Sequence, residues 1–239
     1  MIELELPGGR VVFSTRREGV SEGPFESLNL GVLTDDDPRR VSENRRRLAA
    51  SVGLDPASVA IGRQVHGAEL REWDEPPAAP GFDVPDSRRE ELEDVDAHAT
   101  SVPGLGLLIL GADCLPVALV GRERVAMLHC GWRGLAAGIV ARVAATFAEP
   151  PAAAIGPGIG RCCYEVGPEV LSEFADLDGV ADGQMLDLRA IARRHLEAAG
   201  VDRIEDVDLC TSCRPDLFFS HRRDAGVTGR QGGMAWRVA

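Results

Sequence analysis

The chain of 239 residues contains no lysine, so all 26 of its basic residues are arginine. A GC-rich coding bias explains that choice more simply than any function does. Its chemical consequence is firm: Schiff-base and lysine-nucleophile mechanisms are excluded. Long apolar runs are also missing, and none approaches the roughly 18 residues needed to span a bilayer. The opening MIELELPGGR has neither the basic region nor the apolar stretch of a secretory signal. A soluble cytoplasmic protein without a membrane partner is expected. Positive charge is in deficit, with a net charge of −12, which argues against nucleic acid as a partner. Histidines are few enough to weigh singly: His66, His98, His129, His195 and His221. Six cysteines are present, and in a cytosolic chain they are expected as thiols rather than disulfides.

What is present is a sizeable apolar fraction, 44%, arranged in short runs. The stretch 112–135 (ADCLPVALVGRERVAMLHCGWRGL) organises the rest. Leu115–Val120 and residues 124–130 are apolar runs separated by Gly121, with charged Arg122, Glu123 and Arg124 at the turn, the pattern of a β-hairpin. Such a hairpin brings Cys114, at the mouth of the first strand, beside His129, at the end of the second. A glycine turn and a helix over residues 135–148 follow. Elsewhere the spacing predicts strands at 10–15, 59–65, 68–73, 95–100, 105–110, 152–155, 204–209 and 231–238. Helices are predicted from an Asp35–Pro38 start to about residue 51, and at 168–175 and 186–199. The Pro/Asp/Glu-rich segment 75–93 reads as a surface loop or partly disordered. Arg39, Arg40, Arg45, Arg46 and Arg47 read as a solvated helix face. The sum is one mixed α/β domain over residues 1–239, with mixed sheets flanked by helices.

A thiol and an imidazole in contact suit either a nucleophile–base pair or two ligands of zinc. The bland alternative is a buried apolar cysteine beside a hydrogen-bonded strand histidine. His66, at a strand end before Gly67, is the natural third member. Two histidines and one cysteine leave tetrahedral zinc an open position, as catalysis requires. Asp113 is a partner for these groups or simply a turn residue. Cys130 should face away from His129, because neighbouring strand residues alternate. Cys162 and Cys163 are adjacent and do not easily share one metal. Cys210 and Cys213 have zinc-knuckle spacing but no second pair at suitable spacing. His98, His195 and His221 read as structural or surface residues. IGPGIG (155–160) lacks the features of a phosphate loop, whereas Arg133 at a helix start is a better anion contact. Arg222 and Arg223 are further candidates.

Taken together, STRREGVSEGPFESLNLG, DDPRRVSENRRRL, RQVHG, VDAHAT, LGADCLPV, LHCGWRGL, AIGPGIGRCCYEVG, CT and FFSHRRDAGVTGRQGG resemble the YfiH-like family, also called the laccase-domain or multicopper polyphenol oxidase family. The resemblance runs from about residue 14 to residue 233. It implies a fold like that of cysteine hydrolases of the deamidating-toxin type. It also implies a zinc site made by the His of QVHG, the Cys of ADC and the His before GWRG: His66, Cys114 and His129. Cu(II) can occupy the same ligands in vitro. Cys130, Cys213, His98 and His221 depart from the family pattern without removing a ligand. True laccase chemistry does not fit, because a coupled copper cluster draws on many imidazoles, usually in HxH pairs, and this chain has none.

The activity implied by the resemblance is zinc-dependent purine nucleoside phosphorolysis with adenosine deamination, acting on adenosine, inosine and methylthioadenosine with phosphate. His66, Cys114 and His129 are then the catalytic and metal residues, with Asn29, Arg133 and Arg222 as substrate contacts. A second implied role is a peptidoglycan-editing amidase that removes L-Ser from a UDP-MurNAc precursor. It would use zinc water or a Cys114–His129 dyad. A third reading is a non-catalytic, zinc-stabilised partner protein.

Overall fold

The computed structural model describes residues 1–78, 82 and 92–238. In chain order the elements are β1 (Ile2–Leu6), β2 (Gly9–Phe13), α1 (Pro38–Val52), β3 (Val59–Ala60), β4 (Leu70–Trp73), β5 (Ala97–Thr100), β6 (Gly106–Gly111), β7 (Leu115–Val120) and β8 (Val125–Cys130). Then come α2 (Trp132–Ala136), α3 (Ile139–Ala144), β9 (Ala152–Ile155), α4 (Pro168–Ser172), β10 (Ala181–Asp182), β11 (Met185–Leu186), α5 (Leu188–Ala198), β12 (Ile204–Asp206) and β13 (Gln231–Arg237). They build a five-stranded sheet, order β1-β2-β13-β6-β3, and a six-stranded sheet, order β12-β9-β7-β8-β5-β4, with β10 and β11 as a separate small hairpin.

The two large sheets lie face to face. Val11, Phe13, Leu107, Ile109, Ala118, Val125, Met127 and Ala235 form the layer between them. Strand alternation sends Val12, Leu108, Met234 and Trp236 to the opposite face of the first sheet, against Leu48, Ala49 and Val52 of α1. It sends Val117, Leu119, Ala126, Leu128 and Cys130 to the outer face of the second sheet, against α2, α3 and α5. Layers therefore run helix, sheet, sheet, helices. Strands buried on both faces read as continuous apolar runs, which is why LPVALV and VAMLHC carry no polar alternation.

Several boundaries differ from the sequence reading, each for a local reason. Only Val59–Ala60 of the 59–65 segment pairs as strand, and β4 lies in the other sheet, parallel to β5. The helix predicted at 135–148 begins earlier, at Trp132, and breaks at Gly138, whose φ of 77° is left-handed. β13 is central in its sheet, between β2 and β6. α1 starts and stops as its sequence signals: the Asp37 side chain accepts from the Arg39 N–H, Pro38 opens the first turn, and Gly53 ends the helix at φ 74°. Its arginines are not all solvated. Arg45 is only 1% exposed, with Nε donating to the Leu30 carbonyl and Nη1 to that of Phe82. A guanidinium reads as surface in sequence, yet here it staples two loops to the helix. Most of the predicted 75–93 loop lies outside the described residues. No helix among the described residues is long and apolar enough to cross a membrane.

Candidate metal centre

Strand register decides which side chains meet. In the β7–β8 hairpin Leu115 pairs with Cys130 and Pro116 with His129, so Cys114 sits beside Gly131 at the open end. Between β5 and β8 the pairing of Ala97 with Leu128 continues one step, and the His129 N–H donates to the Asp96 carbonyl at 2.8 Å. Asp96 is thereby placed directly across from His129.

Its carboxylate is fully buried and bonds to both histidine segments. Oδ1 lies 2.7 Å from His129 Nδ1 and accepts from the His66 N–H at 2.9 Å, while Oδ2 accepts from Val65 at 3.1 Å and Gly67 at 2.7 Å. One carboxylate thus orients the His129 ring and closes the turn that presents His66. That turn holds His66 at φ 64°, a left-handed region that few non-glycine residues occupy. Asp113 is a second case at φ 110°. Its oxygens accept from Thr211 Oγ1 at 2.6 Å and the Arg222 N–H at 2.7 Å. Asp113 therefore anchors the loop before Cys114, and the imidazole partner is Asp96.

His66, Cys114 and His129 bring their ligand atoms within 4.8 Å of one another, and the two imidazole rings stand edge to face, centroids 4.8 Å apart. Gly131 makes room for this. A Cβ there would lie 2.9 Å from Cys114 Sγ and 3.5 Å from His66 Cδ2. Burial pushes the Cys114 thiol up, but the His129 charge and hydrogen bonds from His129 and His66 outweigh it, bringing the thiol down to about 6. Burial pushes His129 down, and Cys114 with Asp96 reverses this, raising the imidazole to about 9. Asp96 resists burial in the same way, held below the ordinary carboxylate range by His129 and the backbone N–H groups of Gly67 and Val65. Without metal, the site is a thiolate–imidazolium pair backed by a carboxylate.

The donor chemistry fits a borderline divalent ion. With Nδ1 of His129 engaged by Asp96, Nε2 remains as the ligand atom, the outer arrangement common around zinc-bound histidines. Two nitrogens and one sulfur are one ligand short of a closed tetrahedral site. His66 is exposed while His129 is buried, so the cluster opens outward on one side.

Three arginines lie near this cluster. Arg133, at the start of α2, is exposed and stacks on Trp132, 4.4 Å from the ring centroid. Arg222 is exposed, stacks on Tyr164 at 5.1 Å and donates to the Glu165 carbonyl. Tyr164 is close enough to Cys114, Arg222, Asp113 and Arg133 to feel all four, although burial is the main reason its hydroxyl is raised to about 12. Arg230 is largely buried, which lowers it, with the charges of Cys114 and Asp113 opposing. Asn29, expected as a substrate contact, is fully buried. Its Nδ2 donates to Thr34 and Asp36 and its Oδ1 accepts from Gly31 and Arg230 N–H groups. Asn29 therefore fixes the backbone of Arg230.

Other expectations sort cleanly. Cys130 is fully buried in the outer core beside α2 and α3, and burial pushes its thiol up. His98 is fully buried, accepts from Trp73 Nε1 at 3.2 Å, and is brought down to about 4 by burial, so it stays neutral. His195 is half-buried on α5 and His221 is exposed. Asp96, Tyr164 and Arg230 were not singled out from sequence, although all three stand inside the quoted motifs VDAHAT, CCYEVG and TGRQGG. A cavity of about 600 Å³ lies at the far end of the hairpin, around Gly121, Arg124 and Phe147. It shares no residue with this cluster.

Comparison with known proteins agrees with this architecture. The family model described as multi-copper polyphenol oxidoreductase laccase matches residues 10–238. The chain is 37% identical to the purine nucleoside phosphorylase YfiH of Escherichia coli K12, covering 94% of this chain and 92% of that protein. It is 35% identical to the purine nucleoside phosphorylase YlmD of Geobacillus stearothermophilus, covering 91% and 86%. Among solved structures, the Bacillus licheniformis hypothetical protein YfiH superposes with a TM-score of 0.88 at 30% identity, covering 98% and 97% of the two chains. The G. stearothermophilus YlmD structure gives 0.84 at 32%, covering 97% and 93%. On sequence and fold together, the chain belongs to the YfiH-like family of laccase-domain proteins.

Proposed function

We propose that the chain is a zinc-dependent purine nucleoside phosphorylase that also deaminates adenosine, with adenosine, inosine and methylthioadenosine as substrates. The observation that carries this reading is the convergence of His66, Cys114 and His129 on one point, with arginines nearby. The names of the relatives supply the purine nucleoside. Phosphorolysis breaks the bond from base nitrogen to ribose C1′ and places a phosphate oxygen on that carbon. Arg133 and Arg222 offer exposed guanidinium groups for the attacking dianion, and Arg230 adds positive charge near Cys114. Trp132 and Tyr164, stacked under two of these arginines, give the substrate flat apolar surface. His66, Cys114 and His129 would hold the zinc, which when bound would supply Lewis acidity to the reaction. Asp96 keeps the His129 proton on Nδ1 and holds His66 in its turn.

A second reading has its own support. Cys114 brought down to about 6, His129 raised to about 9 and Asp96 on Nδ1 line up as a nucleophile, base and orienting carboxylate. An amidase removing L-Ser from a muropeptide precursor would use them so, with His66 left only to hydrogen-bond the thiolate.

One experiment separates the readings. Protein of measured zinc content is incubated with inosine and phosphate, and separately with the L-Ser-bearing precursor. Ribose 1-phosphate formation that rises with zinc occupancy supports the phosphorylase. Free serine released by the metal-free protein supports the amidase. No ribose 1-phosphate at full zinc occupancy and no serine from either the zinc-loaded or the metal-free protein rejects both.

A further inference from the structure

A second cluster lies outside the site described above. Cys162, Cys163, Cys210 and Cys213 bring their sulfurs within 4.8 Å of one another, with Cys213 Sγ 3.5 Å from Cys162 Sγ and 3.4 Å from Cys163 Sγ. We propose that these four cysteines form a closed, structural zinc site that locks the loop beneath Asp113. The inference is independent of what reaction the first site performs.

Adjacent cysteines would diverge on a strand. Here they stand on a 3-10 turn, Arg161–Cys163, where successive side chains rotate by about 120° and both can reach one point. The facing pair sits on the turn after an isolated bridge between Gly158 and Cys210, fastened by the Thr211 N–H donating to the Gly158 carbonyl at 3.0 Å. Cys210 Sγ accepts from the Gly160 N–H at 3.2 Å and from the Cys213 N–H. Backbone donors of this kind orient and stabilise metal-bound thiolates. Size also separates a single ion from a cluster. A tetrahedron with Zn–S bonds of about 2.3 Å has edges of about 3.8 Å, in the range of these sulfur separations. That spacing leaves room for one ion and none for the iron–sulfide core of a cluster. Four thiolates complete the tetrahedron, so the site has no open position and no catalytic role.

Its effect reaches the first site through one residue. Thr211, between Cys210 and Cys213, is fully buried and donates to Asp113 Oδ1 at 2.6 Å, and Arg223 clamps its carbonyl at 2.9 Å. Asp113 precedes Cys114. A locked Cys210–Cys213 turn thus holds the strained Asp113 backbone in place.

The test uses the full chain purified under reducing conditions with zinc supplied, its metal measured by elemental analysis. Two zinc equivalents per chain are expected, falling to one in Cys162→Ser/Cys213→Ser and to one in His66→Ala/His129→Ala. Should the cysteine variant fail to fold, cobalt-loaded wild-type chain still decides, because a four-thiolate site adds intense sulfur-to-cobalt absorption that persists in His66→Ala/His129→Ala. A single equivalent that disappears in the histidine variant overturns the proposal. So does a mass two daltons low with two thiols missing, which marks a disulfide at this cluster.

Discussion

The two cysteine-bearing clusters are built from opposite materials. The first mixes two imidazoles with one thiolate, backs them with a buried carboxylate, presents His66 from a left-handed turn and opens to the surface. The second has four sulfurs, backbone N–H donors and a 3-10 turn. The contrast separates a centre arranged to do chemistry from one arranged to hold shape. An incomplete ligand set needs outside parts to fix it, and Asp96 with Gly131 does that. A complete set fixes itself and its neighbours.

The largest expected effect comes from deleting a ligand of the open cluster. His129→Ala should reduce ribose 1-phosphate formation by about 10⁴-fold or more, since members of a catalytic unit fail together. One zinc equivalent should be lost with it, while the four-cysteine cluster keeps its ion. Retained activity would end the distinction between the clusters.

Next comes the carboxylate. Asp96→Asn keeps the size and one acceptor but loses the charge facing Nδ1. Zinc affinity at the open cluster, measured by competition with a chelator, should fall about 10–100-fold, and zinc in the cysteine cluster should be unchanged. A smaller loss than in Thr211→Val would place the orienting role elsewhere.

The metal-free open cluster also has a pH signature. Cys114 is lowered to about 6 and His129 raised to about 9, so the ion pair is intact between those values. The Cys114 contribution to stability is present above the unfolded thiol's pKa of about 8.5 and fades as pH falls through 6. The His129 contribution is full below about 6.5 and fades as pH rises through 9. Alkylation of Cys114 in metal-free protein should therefore switch on near pH 6. A midpoint near 8.5 would mean the pair does not form.

The smallest effect tests the link between the clusters. Thr211→Val removes the hydrogen bond to the Asp113 carboxylate and should cost about 1.5–3 kcal/mol of stability, read by denaturant unfolding. A several-fold fall in turnover should accompany it. Unchanged stability would show that the cysteine turn does not support Asp113.

How far these clusters were legible in sequence follows from the same contrast. His66, Cys114 and His129 could be grouped because a short hairpin fixes Cys114 beside His129, and His66 stands at a strand end before a glycine. Asp96 could not be picked out, because its role depends on cross-strand register and on the 65–67 turn folding over it. The cysteine quartet is not legible for a geometric reason: adjacent cysteines do not easily share one metal, and no spacing rule pairs them with Cys210 and Cys213, yet the 3-10 turn makes them convergent. Arg45 and Asn29 show the limit of polarity as a guide, since both are buried polar residues that fasten loops. The helix after the hairpin was legible in composition, while its break needed the left-handed backbone at Gly138.

The most direct measurement is an anomalous difference map at the zinc edge from crystals grown with zinc. The account predicts a peak about 2.0–2.3 Å from one nitrogen each of His66 and His129 and from Cys114 Sγ, with Asp96 still on Nδ1. Zinc-loaded crystals with no peak among those three side chains, or with His66 turned away from the other two, would contradict it.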